Sequence, residues 1–450
     1  MKLLISGGTG LVGEEIVLDL IKKGHEVRVL TRNPKKAQNL PVLAYYWDAK
    51  DKIDEKAFED LDVVIHLAGE SISKLPWTKT QKQKILNSRV EGTNLIKNTI
   101  NKVCTKPVAV VSASAVGVYG DKKDQKLTEE SETGSGFLAS VVKAWEASWE
   151  GLDKKHRLCI YRLGIVISRK GGFLNLFEKL FRQGVGGPIG GSQYLPWVAL
   201  DDVAKAFVEA SLNESFSGVY NLCSEAPITQ SELCKKMAKR TQMWSLPPVP
   251  KFLVTPILGD MKELLVFSQR AYPERLLSQN FSFKYNDIDQ VFDDEFSHAS
   301  CRRLNAVQWV PYLIEDVFEF FSSEKNLERI TPKFLNFKVV SMSTENIEQG
   351  SEIKYKMKIH GIPASWTTTI AVWNPPHEFV DNQKSGPYKK WYHIHKFEQL
   401  AGGTLLYDEV HFKLPMGFLG EIFGGLLVEK DVKTIFKYRQ KIISELFPSS

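Results

Sequence analysis

The residues that point most directly to chemistry stand in a glycine-rich turn near the start of the chain. Gly7, Gly8, Gly10 and Gly13 follow an apolar run (3–5) and open a stretch with helical apolar spacing. Glycines in such a turn let the backbone approach a pyrophosphate, and the N–H groups at the start of the helix attract the phosphates. Because a second strand follows in the right place, the segment predicts a dinucleotide site rather than an ordinary loop.

The end of the second strand bears on which dinucleotide is bound. NAD sites usually carry an acidic residue there, about 20 residues past the glycines, for the ribose hydroxyls. This chain has Thr31, Arg32 and Asn33 instead. A guanidinium can pair with a 2′-phosphate in a planar, bidentate way. Arg32 therefore favours NADP(H) over NAD(H), with a solvated surface arginine as the alternative.

Further cofactor contacts are expected where the following strands end. Asp48 closes a third short strand and is placed to reach an adenine edge. The small residues Ala68 and Gly69 would let a cofactor lie close over the carboxyl end of the strand 62–69. The predicted cofactor-binding residues are Gly7, Thr9, Gly10, Leu11, Val12, Gly13, Arg32, Asp48, Leu67, Ala68, Gly69 and Ser112.

Strands and helices alternate through the first half of the chain. A helix is predicted over 79–103, a strand over 107–114, a helix over about 136–151 and a strand over 157–167. This alternation predicts an α/β fold with a doubly wound, parallel sheet.

Several ordered motifs run through the first 290 residues. They are SGGTGLVG at the start, HLAGESI (66–72), SRVEGT (88–93), SASAVGVYG (112–120), FLASVVKAWE (137–146), WVALDD (197–202), GVYNLCSEAPIT (218–229) and the segment 258–285. Together they resemble the extended or atypical short-chain dehydrogenase/reductase superfamily, within its NAD-dependent epimerase/dehydratase group, and most closely the YfcH-type "epimerase family" branch. The resemblance implies a Rossmann-type domain that binds NAD(P).

The chain departs from that family in its catalytic residues. Members usually move a proton with a Tyr-x-x-x-Lys pair, in which the lysine ammonium lowers the pKa of the tyrosine. With Glu146 matched to the glutamate that commonly follows this lysine, the tyrosine position is Leu138 and the lysine position is Val142. Neither side chain can transfer a proton. The usual Ser/Thr position falls on Ala115, one residue from Ser114.

Two functional interpretations follow from the missing pair. Other groups serve as acid and base, with Glu70, Arg89, Ser114 and Tyr119 as the catalytic candidates. Glu70 and Arg89 lie in motifs that the resemblance places near the nicotinamide, although a structural ion pair or loop anchor is the alternative for both. In the other interpretation the chain binds NADP(H) without turnover, as a sensor or scaffold.

The periodicity changes after Cys301. Residues 353–359 alternate apolar and basic side chains, and strands of this kind continue to about 413 before a long helix (419–447). The order of elements looks like the helix-grip fold of the START/polyketide-cyclase-like (SRPBCC) superfamily, over about 302–448. We therefore expect a domain at 1–297, with a small helical part at about 245–292, and a helix-grip domain at 298–450.

The helix-grip resemblance implies an apolar cavity for a small hydrophobic molecule. Its candidate lining residues, each of which is individually more typical of an ordinary core, are Met357, Trp366, Trp373, Trp391, Phe397, Phe412 and Phe423. His393 and His395 share one strand face, with His411 on a neighbouring strand. Since no nearby cysteine or carboxylate set is evident in the sequence, no metal site is predicted.

Composition limits the remaining possibilities. The chain has 450 residues, of which 43% are hydrophobic and 25% charged, and its net charge of +6 does not indicate nucleic acid. Five scattered cysteines, without C-x-x-C spacing, favour a reduced, cytoplasmic setting. We expect no signal peptide and no membrane span. We also expect a small-molecule substrate, with a hydrophobic molecule among the candidates; the oligomeric state stays open.

Overall fold

The computed structural model describes residues 1–74, 76–253, 259–298 and 301–448. The strands of the first domain are β1 (Lys2–Ser6), β2 (Glu26–Thr31), β3 (Leu43–Tyr46), β4 (Val63–His66), β5 (Ala109–Ala115), β6 (Lys126–Leu127), β7 (Arg157–Leu163), β8 (Ile165–Ile167), β9 (Tyr194–Leu195), β10 (Trp197–Ala199), β11 (Gly218–Leu222), β12 (Ile228–Thr229) and β13 (Arg270–Ala271). Its α-helices are α1 (Leu11–Lys22), α2 (Lys79–Val103), α3 (Phe137–Ala147), α4 (Gly172–Arg182), α5 (Leu200–Leu212), α6 (Gln230–Thr241), α7 (Lys262–Leu265), α8 (Glu274–Ser278) and α9 (Ile288–Glu295).

The main sheet of this domain is parallel and has the strand order β11-β7-β5-β4-β1-β2-β3. Helices α1 and α5 cover one face, where Ile16 and Val17 of α1 and Phe207 of α5 are fully buried in the same cluster. Helix α2 covers the other face with Ile96 and Ile100. The predicted doubly wound α/β fold is confirmed. Its strand order reverses between β1 and β4, and in such sheets the ligand crevice lies at that point.

The predicted strand 157–167 is in fact two strands. Residues 157–163 form β7 in the main sheet, whereas 165–167 form β8, which pairs with β10. A Cβ on Gly164 would lie 2.8 Å from Pro196 O. The chain therefore crosses close to another backbone at this glycine and leaves the main sheet. The helix predicted over about 136–151 is also shorter and ends at Ala147.

The second domain contains a seven-stranded antiparallel sheet in the order β14-β20-β19-β18-β17-β16-β15. Its strands are β14 (Arg302–Val310), β15 (Lys338–Met342), β16 (Glu352–Ile359), β17 (Ile362–Asn374), β18 (Glu378–Ser385), β19 (Lys390–Leu400) and β20 (Gly403–Lys413). Its helices are α10 (Ile314–Phe321), α11 (Glu324–Arg329) and α12 (Gly417–Leu446). The predicted domain boundary falls between α9 and β14.

Helix α12 closes one face of the antiparallel sheet. Val432 and Phe436 pack with Val410 and Phe412 of β20, and Ile443 packs near Val310. Burying side chains of this size stabilises a fold by roughly 1.5–3 kcal/mol each. The N-terminal half of α12 is different, because five large apolar side chains there are exposed. They are Phe418, Leu419, Phe423, Leu426 and Leu427.

The two domains meet at a buried cluster of charges. Arg169 and Arg182 both donate to Cys301 O at 2.8 Å, and Glu178 of α4 lies between the two guanidinium groups. Arg302, at the start of β14, donates to Glu421 of α12 at 2.8 Å. The junction is therefore held by paired charges and backbone carbonyls.

Candidate functional site

The glycine turn has the geometry of an anion-binding loop. Gly7 has a φ of +78°, in the left-handed region that glycine adopts at little cost. The Gly10 N–H donates to Gly7 O at 3.0 Å and closes the turn. A Cβ on Gly13 would lie 2.2 Å from that oxygen, so only glycine lets α1 pack this closely. The first N–H groups of α1 thus begin beside an exposed Gly10, where a phosphate can be bound.

The turn opens into a cleft between the two domains. Thr9, Gly10 and Leu11 line one side of this cleft, which has a volume of about 740 Å³. Its opposite side includes Asn305 and Lys396 of the antiparallel sheet. Val12, the next residue predicted to contact the cofactor, is half-buried and packs against the core. The structure therefore brings the turn and the second domain together, which the sequence did not indicate.

The end of β4 lies directly against the glycine turn. A Cβ on Gly7 would be 3.1 Å from Ala68 N, and Leu67 N donates to Ser6 O at 3.1 Å. Gly69 lies beside Arg89, whose guanidinium carbon would be 3.2 Å from a Cβ at that position. The residues predicted to line the crevice from β1 and β4 are thus neighbours in space.

A buried histidine, which the sequence did not single out, fixes this crevice. His66 Nδ1 lies 2.6 Å from Ser6 Oγ, and its Nε2 lies 3.1 Å from Thr93 Oγ1 of α2. Burial, helped by the nearby positive charge of Arg89, lowers the pKa of His66 to about 3. The neutral imidazole therefore joins β1, β4 and α2 behind the crevice. The only sequence signal was its place at the end of an apolar strand.

Arg32 is exposed at the end of β2, on the side of the crevice where an adenosine ribose would lie. The hydrogen bond from Lys74 and, to a smaller extent, the charge of Arg32 lower the pKa of Glu70. Asp48 is engaged in its own turn, because one carboxylate oxygen accepts the N–H groups of residues 50, 51 and 52 at 2.9–3.0 Å. These bonds hold the pKa of Asp48 well below its usual range. The adenine contact of Asp48 stays a prediction.

Glu70 and Arg89 are neighbours, but their side chains do not form the ion pair that was one alternative to a catalytic role. The Arg89 guanidinium donates to the carbonyl oxygens of Glu70 at 3.1 Å and Ile85 at 3.0 Å, and it stacks on Trp145. The Glu70 carboxylate instead accepts from Lys74 at 2.7 Å. Burial lowers the pKa of Arg89 to about 10. Arg89 thus anchors the loop after β4, whereas the Glu70 carboxylate is held at the crevice by a lysine.

Ser114 belongs to a buried polar network. Its hydroxyl donates to Glu146 Oε1 at 2.6 Å, and Arg162 of β7 pairs with both oxygens of Glu146 at 2.8–2.9 Å. Burial would lower the pKa of Arg162, but the attraction of Glu146 outweighs it and raises that pKa. Sequence reasoning used Glu146 only as a landmark and missed Arg162. The available signal was an arginine within a predicted apolar strand, in the segment YRLG.

Tyr119 completes the same network. Arg162 donates to the Tyr119 hydroxyl at 3.0 Å, and that hydroxyl lies 2.8 Å from Asn221 Oδ1 and 3.0 Å from Thr128 O. The ring is fully buried, and burial raises the pKa of the phenol. Because the phenol hydroxyl is hydrogen-bonded to three protein groups, the geometry favours a role in which Tyr119 positions its neighbours. The catalytic roles of Ser114 and Tyr119 stay predictions.

Apolar packing occupies the places of the family's tyrosine and lysine. Leu138 and Val142 lie on one face of α3, where a Cβ on Gly117 would meet them at 3.6 Å and 4.0 Å. Val142 is buried in a cluster with Val116. Lys143, on the next position of α3, donates to Gly134 O at 2.8 Å and thus holds a loop. Apolar side chains, in two neighbouring clusters, thus stand where the resemblance would place the dyad.

The first domain can be compared with known proteins. A family model described as NAD dependent epimerase/dehydratase family matches residues 3–223, and one described as DUF1731, a domain of unknown function, matches residues 249–295. The epimerase family protein YfhF of Bacillus subtilis (strain 168) is 32% identical over 292 residues, which are 64% of this chain and 96% of that protein. This chain belongs to the NAD-dependent epimerase/dehydratase family.

Two further members extend the comparison. The epimerase family protein SDR39U1 homolog, chloroplastic, of Arabidopsis thaliana is 31% identical over 297 residues, which are 64% of this chain and 84% of that protein. The crystal structure of the human epimerase family protein SDR39U1 (isoform 2) with NADPH is 27% identical, with a TM-score of 0.60; the match covers 66% of this chain and 99% of that one. The family resemblance is therefore confirmed for the first domain.

Ser112 of this epimerase-family domain stands opposite His66 in the register of β4 and β5. It is fully buried, and its hydroxyl accepts from Trp149 Nε1 at 3.0 Å. The hydroxyl therefore forms its hydrogen bond inside the core, and the contact of Ser112 with a cofactor stays a prediction.

The second domain corrects two sequence-based expectations. Trp366, Phe397 and Phe412 are buried as ordinary core residues, but Phe423 is 82% exposed and therefore faces outward rather than into the domain. The premise that no carboxylates accompany His393 and His395 is wrong, because neighbouring strands bring two aspartates to them. His411 is on the neighbouring strand as expected, but on the opposite face, where it pairs with Glu409 at 2.5 Å.

No helix among the described residues is long and apolar enough to cross a bilayer.

Proposed function

We propose that this protein binds NADP(H) at the glycine turn and acts as an oxidoreductase or epimerase-like enzyme on a small molecule. The proposal rests on the shape of the turn after β1. This turn meets the end of β4 where the strand order of the sheet reverses, and its backbone leaves no room for a side chain at Gly13. That cradle fits a pyrophosphate. When bound, the nicotinamide would supply hydride transfer, and this chain's residues would bind and orient it.

NADP(H) is proposed over NAD(H) because of the residue at the end of β2. Arg32 is exposed there, and its positive charge is close enough to Glu70 to lower the pKa of that carboxyl group. The human relative was solved with NADPH, which supports the same choice. A guanidinium at this position is suited to a 2′-phosphate and offers nothing comparable to a free 2′-hydroxyl.

Replacing Arg32 with alanine should remove the preference for NADPH. A charge-assisted hydrogen bond contributes about 1.5–3 kcal/mol, so we expect NADPH binding to weaken by about 10- to 100-fold while NADH binding changes little. Nucleotide fluorescence titration of wild type and Arg32→Ala measures this. Lys35→Ala, which changes an exposed lysine of the short 3₁₀ helix that follows (Pro34–Ala37), is the control. Equal losses for both nucleotides would contradict the assignment, and binding of neither by the wild type would contradict the proposal.

A second candidate function is a non-catalytic NADP(H) sensor or scaffold. The observation that favours it is the apolar pair Leu138 and Val142, which pack against the loop at Gly117 and cannot transfer a proton. Under the enzyme hypothesis, Glu70 is the candidate that remains at the crevice with a carboxylate, held by Lys74 and close to Arg89.

Turnover separates the two candidates. NADPH oxidation is followed at saturating cofactor with a panel of carbonyl compounds, for wild type and Glu70→Gln. An enzyme that uses Glu70 should lose most of its rate in the variant while its NADPH affinity is kept. Tight NADPH binding without oxidation for any compound supports the sensor.

For the second domain we propose binding of a hydrophobic small molecule, as in SRPBCC proteins. The support is the order of a seven-stranded antiparallel sheet and a long closing helix, together with the exposed apolar side chains of the first half of α12. A third candidate is a carrier of lipid or another hydrophobic ligand that the cofactor domain regulates, and lipid that co-purifies with the protein would favour it. A reduced, cytoplasmic setting is proposed because all five cysteines are free and buried.

A further inference from the structure

Three adjacent strands of the second domain bring two histidines and two aspartates to the same buried place. In the sheet register, Asp381 of β18 stands opposite His393 of β19, and His395 stands opposite Asp408 of β20. Residues two apart on a strand share a face, so all four side chains project from one face of the sheet. This is the face that α12 covers, where Phe436 lies 5.4 Å from the His393 ring.

Three of these side chains converge as metal ligands would. Asp381 Oδ2 lies 3.0 Å from His395 Nε2 and 3.5 Å from His393 Nδ1. The three ligand atoms lie within 4.8 Å of one another. A tetrahedral Zn²⁺ with bonds of about 2.0–2.1 Å separates neighbouring ligand atoms by roughly 3.3 Å. The spacing therefore needs little rearrangement to hold an ion.

The fourth side chain occupies the place of an outer-shell partner. Asp408 Oδ1 lies 3.0 Å from His393 Nε2 and 2.9 Å from His395 Nδ1, which are the ring nitrogens that face away from Asp381. Histidines that bind metals usually donate their other N–H to a carboxylate, which fixes the tautomer and the ring orientation. One aspartate does this here for both rings, and Arg439 stands 3.7 Å from the same oxygen.

Carboxylate oxygens surround both imidazole rings. Each ring has a carboxylate oxygen near both of its nitrogens. The two ring centroids lie 3.7 Å apart, and Arg439 Nη2 lies 3.3 Å from His395 Nδ1. On the Asp381 side, two ring nitrogens and one carboxylate oxygen therefore face the same point.

We propose that Asp381, His393 and His395 bind a divalent transition metal, with Asp408 as the carboxylate that orients both histidines. Two histidines and one carboxylate suit Zn²⁺ and leave at least one coordination position for another ligand; the same set can also hold Fe²⁺. Phe379 stacks on His395 with a centroid distance of 4.1 Å, so the site is enclosed by aromatic rings. This proposal differs from the sequence-based expectation of no metal site.

The test is zinc binding by the full-length protein after treatment with a chelator. Isothermal titration with zinc chloride and elemental analysis after desalting should both give about one Zn²⁺ per chain. His395→Gln should abolish this binding. Asp408→Asn keeps the three ligands and should weaken binding by about 10- to 100-fold. His360→Gln removes an exposed histidine that pairs with Asp431 at 2.8 Å, and it should bind zinc like the wild type.

Zinc uptake well below one ion per chain by the folded wild type would overturn the proposal. Equal affinity in wild type and His395→Gln would do so too, since it would mean that zinc binds elsewhere. If His395→Gln fails to fold, the weaker zinc binding of Asp408→Asn and the number of Zn²⁺ ions bound per wild-type chain still test whether zinc binds at this site. The replacement of zinc by Co²⁺ adds a direct readout, because four-coordinate nitrogen and oxygen ligands give cobalt a visible absorption that His360→Gln should retain.

Discussion

Replacing Glu178 with alanine should lower the free energy of unfolding by about 3–5 kcal/mol, the cost of leaving buried charges without their partner. Glu178 lies between Arg169 and Arg182, whose side chains are only 1% and 2% exposed. Arg169 binds both carboxylate oxygens at 2.8 Å, and Arg182 binds one of them at 2.7 Å. The alanine variant would keep two guanidinium groups in the interior and remove the anion between them.

The same pair of arginines gives Glu178 a defined effect on acid stability. Burial would raise the pKa of Glu178, but the attraction of Arg169 and Arg182 outweighs it and lowers that pKa to about 2. Because the folded-state pKa is below the ordinary value, the stabilisation is present above about pH 4.5 and is lost as the pH falls towards 2.

Urea unfolding followed by tryptophan fluorescence measures the effect of Glu178→Ala. The matched control is Glu55→Ala, which removes a pair with Lys102 at 2.6 Å in which both side chains are about half exposed or more. Exposed pairs contribute about 0–1 kcal/mol, so the control should be nearly neutral. A Glu178→Ala variant as stable as that control would show that the cluster does not hold the junction.

Replacing Gly13 with alanine should remove nucleotide binding. The new Cβ would lie 2.2 Å from Gly7 O and 2.6 Å from Gly8 Cα, so α1 must move away from the turn. The N–H groups at the start of α1 would then no longer converge on the phosphates. Losing one or two charge-assisted hydrogen bonds at about 1.5–3 kcal/mol each weakens binding by at least tenfold and up to complete loss in a practical titration.

Fluorescence titration with NADPH measures the effect, and circular dichroism shows whether the variant is folded. Gly92→Ala in α2 is the control, because its Cβ would meet its nearest neighbour at 3.6 Å, an ordinary contact. That change should leave binding intact and stabilise the helix by about 0.5–1 kcal/mol. A folded Gly13→Ala protein with wild-type affinity would refute the phosphate-binding role of the turn.

Local signals in the sequence were sufficient to predict most of the helices and strands of the first domain. Helix α2 has the predicted bounds, and Thr78 caps it by accepting from Gln81 N at 3.1 Å. The glycine turn was recognisable because its spacing reflects steric demands within one short segment. The break at Gly164 was missed, since it depends on the approach of Pro196, which is distant in sequence.

The polar networks could not be predicted in the same way. Ser114 and Tyr119 were identified by position in a motif, but their partners come from other elements. Glu146, the partner of Ser114, lies on α3, and Arg162 and Asn221, the partners of Tyr119, lie on other strands of the sheet. Likewise, the alternation of β19 placed His393 and His395 on one face, whereas the arrival of Asp408 depends on the register of β20. Register across several strands is set by long-range packing, which a single stretch of sequence does not contain.

The cleft of about 740 Å³ is bordered by the glycine turn on one side and by the antiparallel sheet on the other. A dinucleotide bound at the turn would therefore adjoin residues of both domains. Linkage is then reciprocal: if occupancy by nucleotide alters the affinity of the second domain for its own ligand by some factor, that ligand alters nucleotide affinity by the same factor. With such coupling, the ratio of reduced to oxidised nucleotide in the cell would change the affinity of the second domain for its ligand.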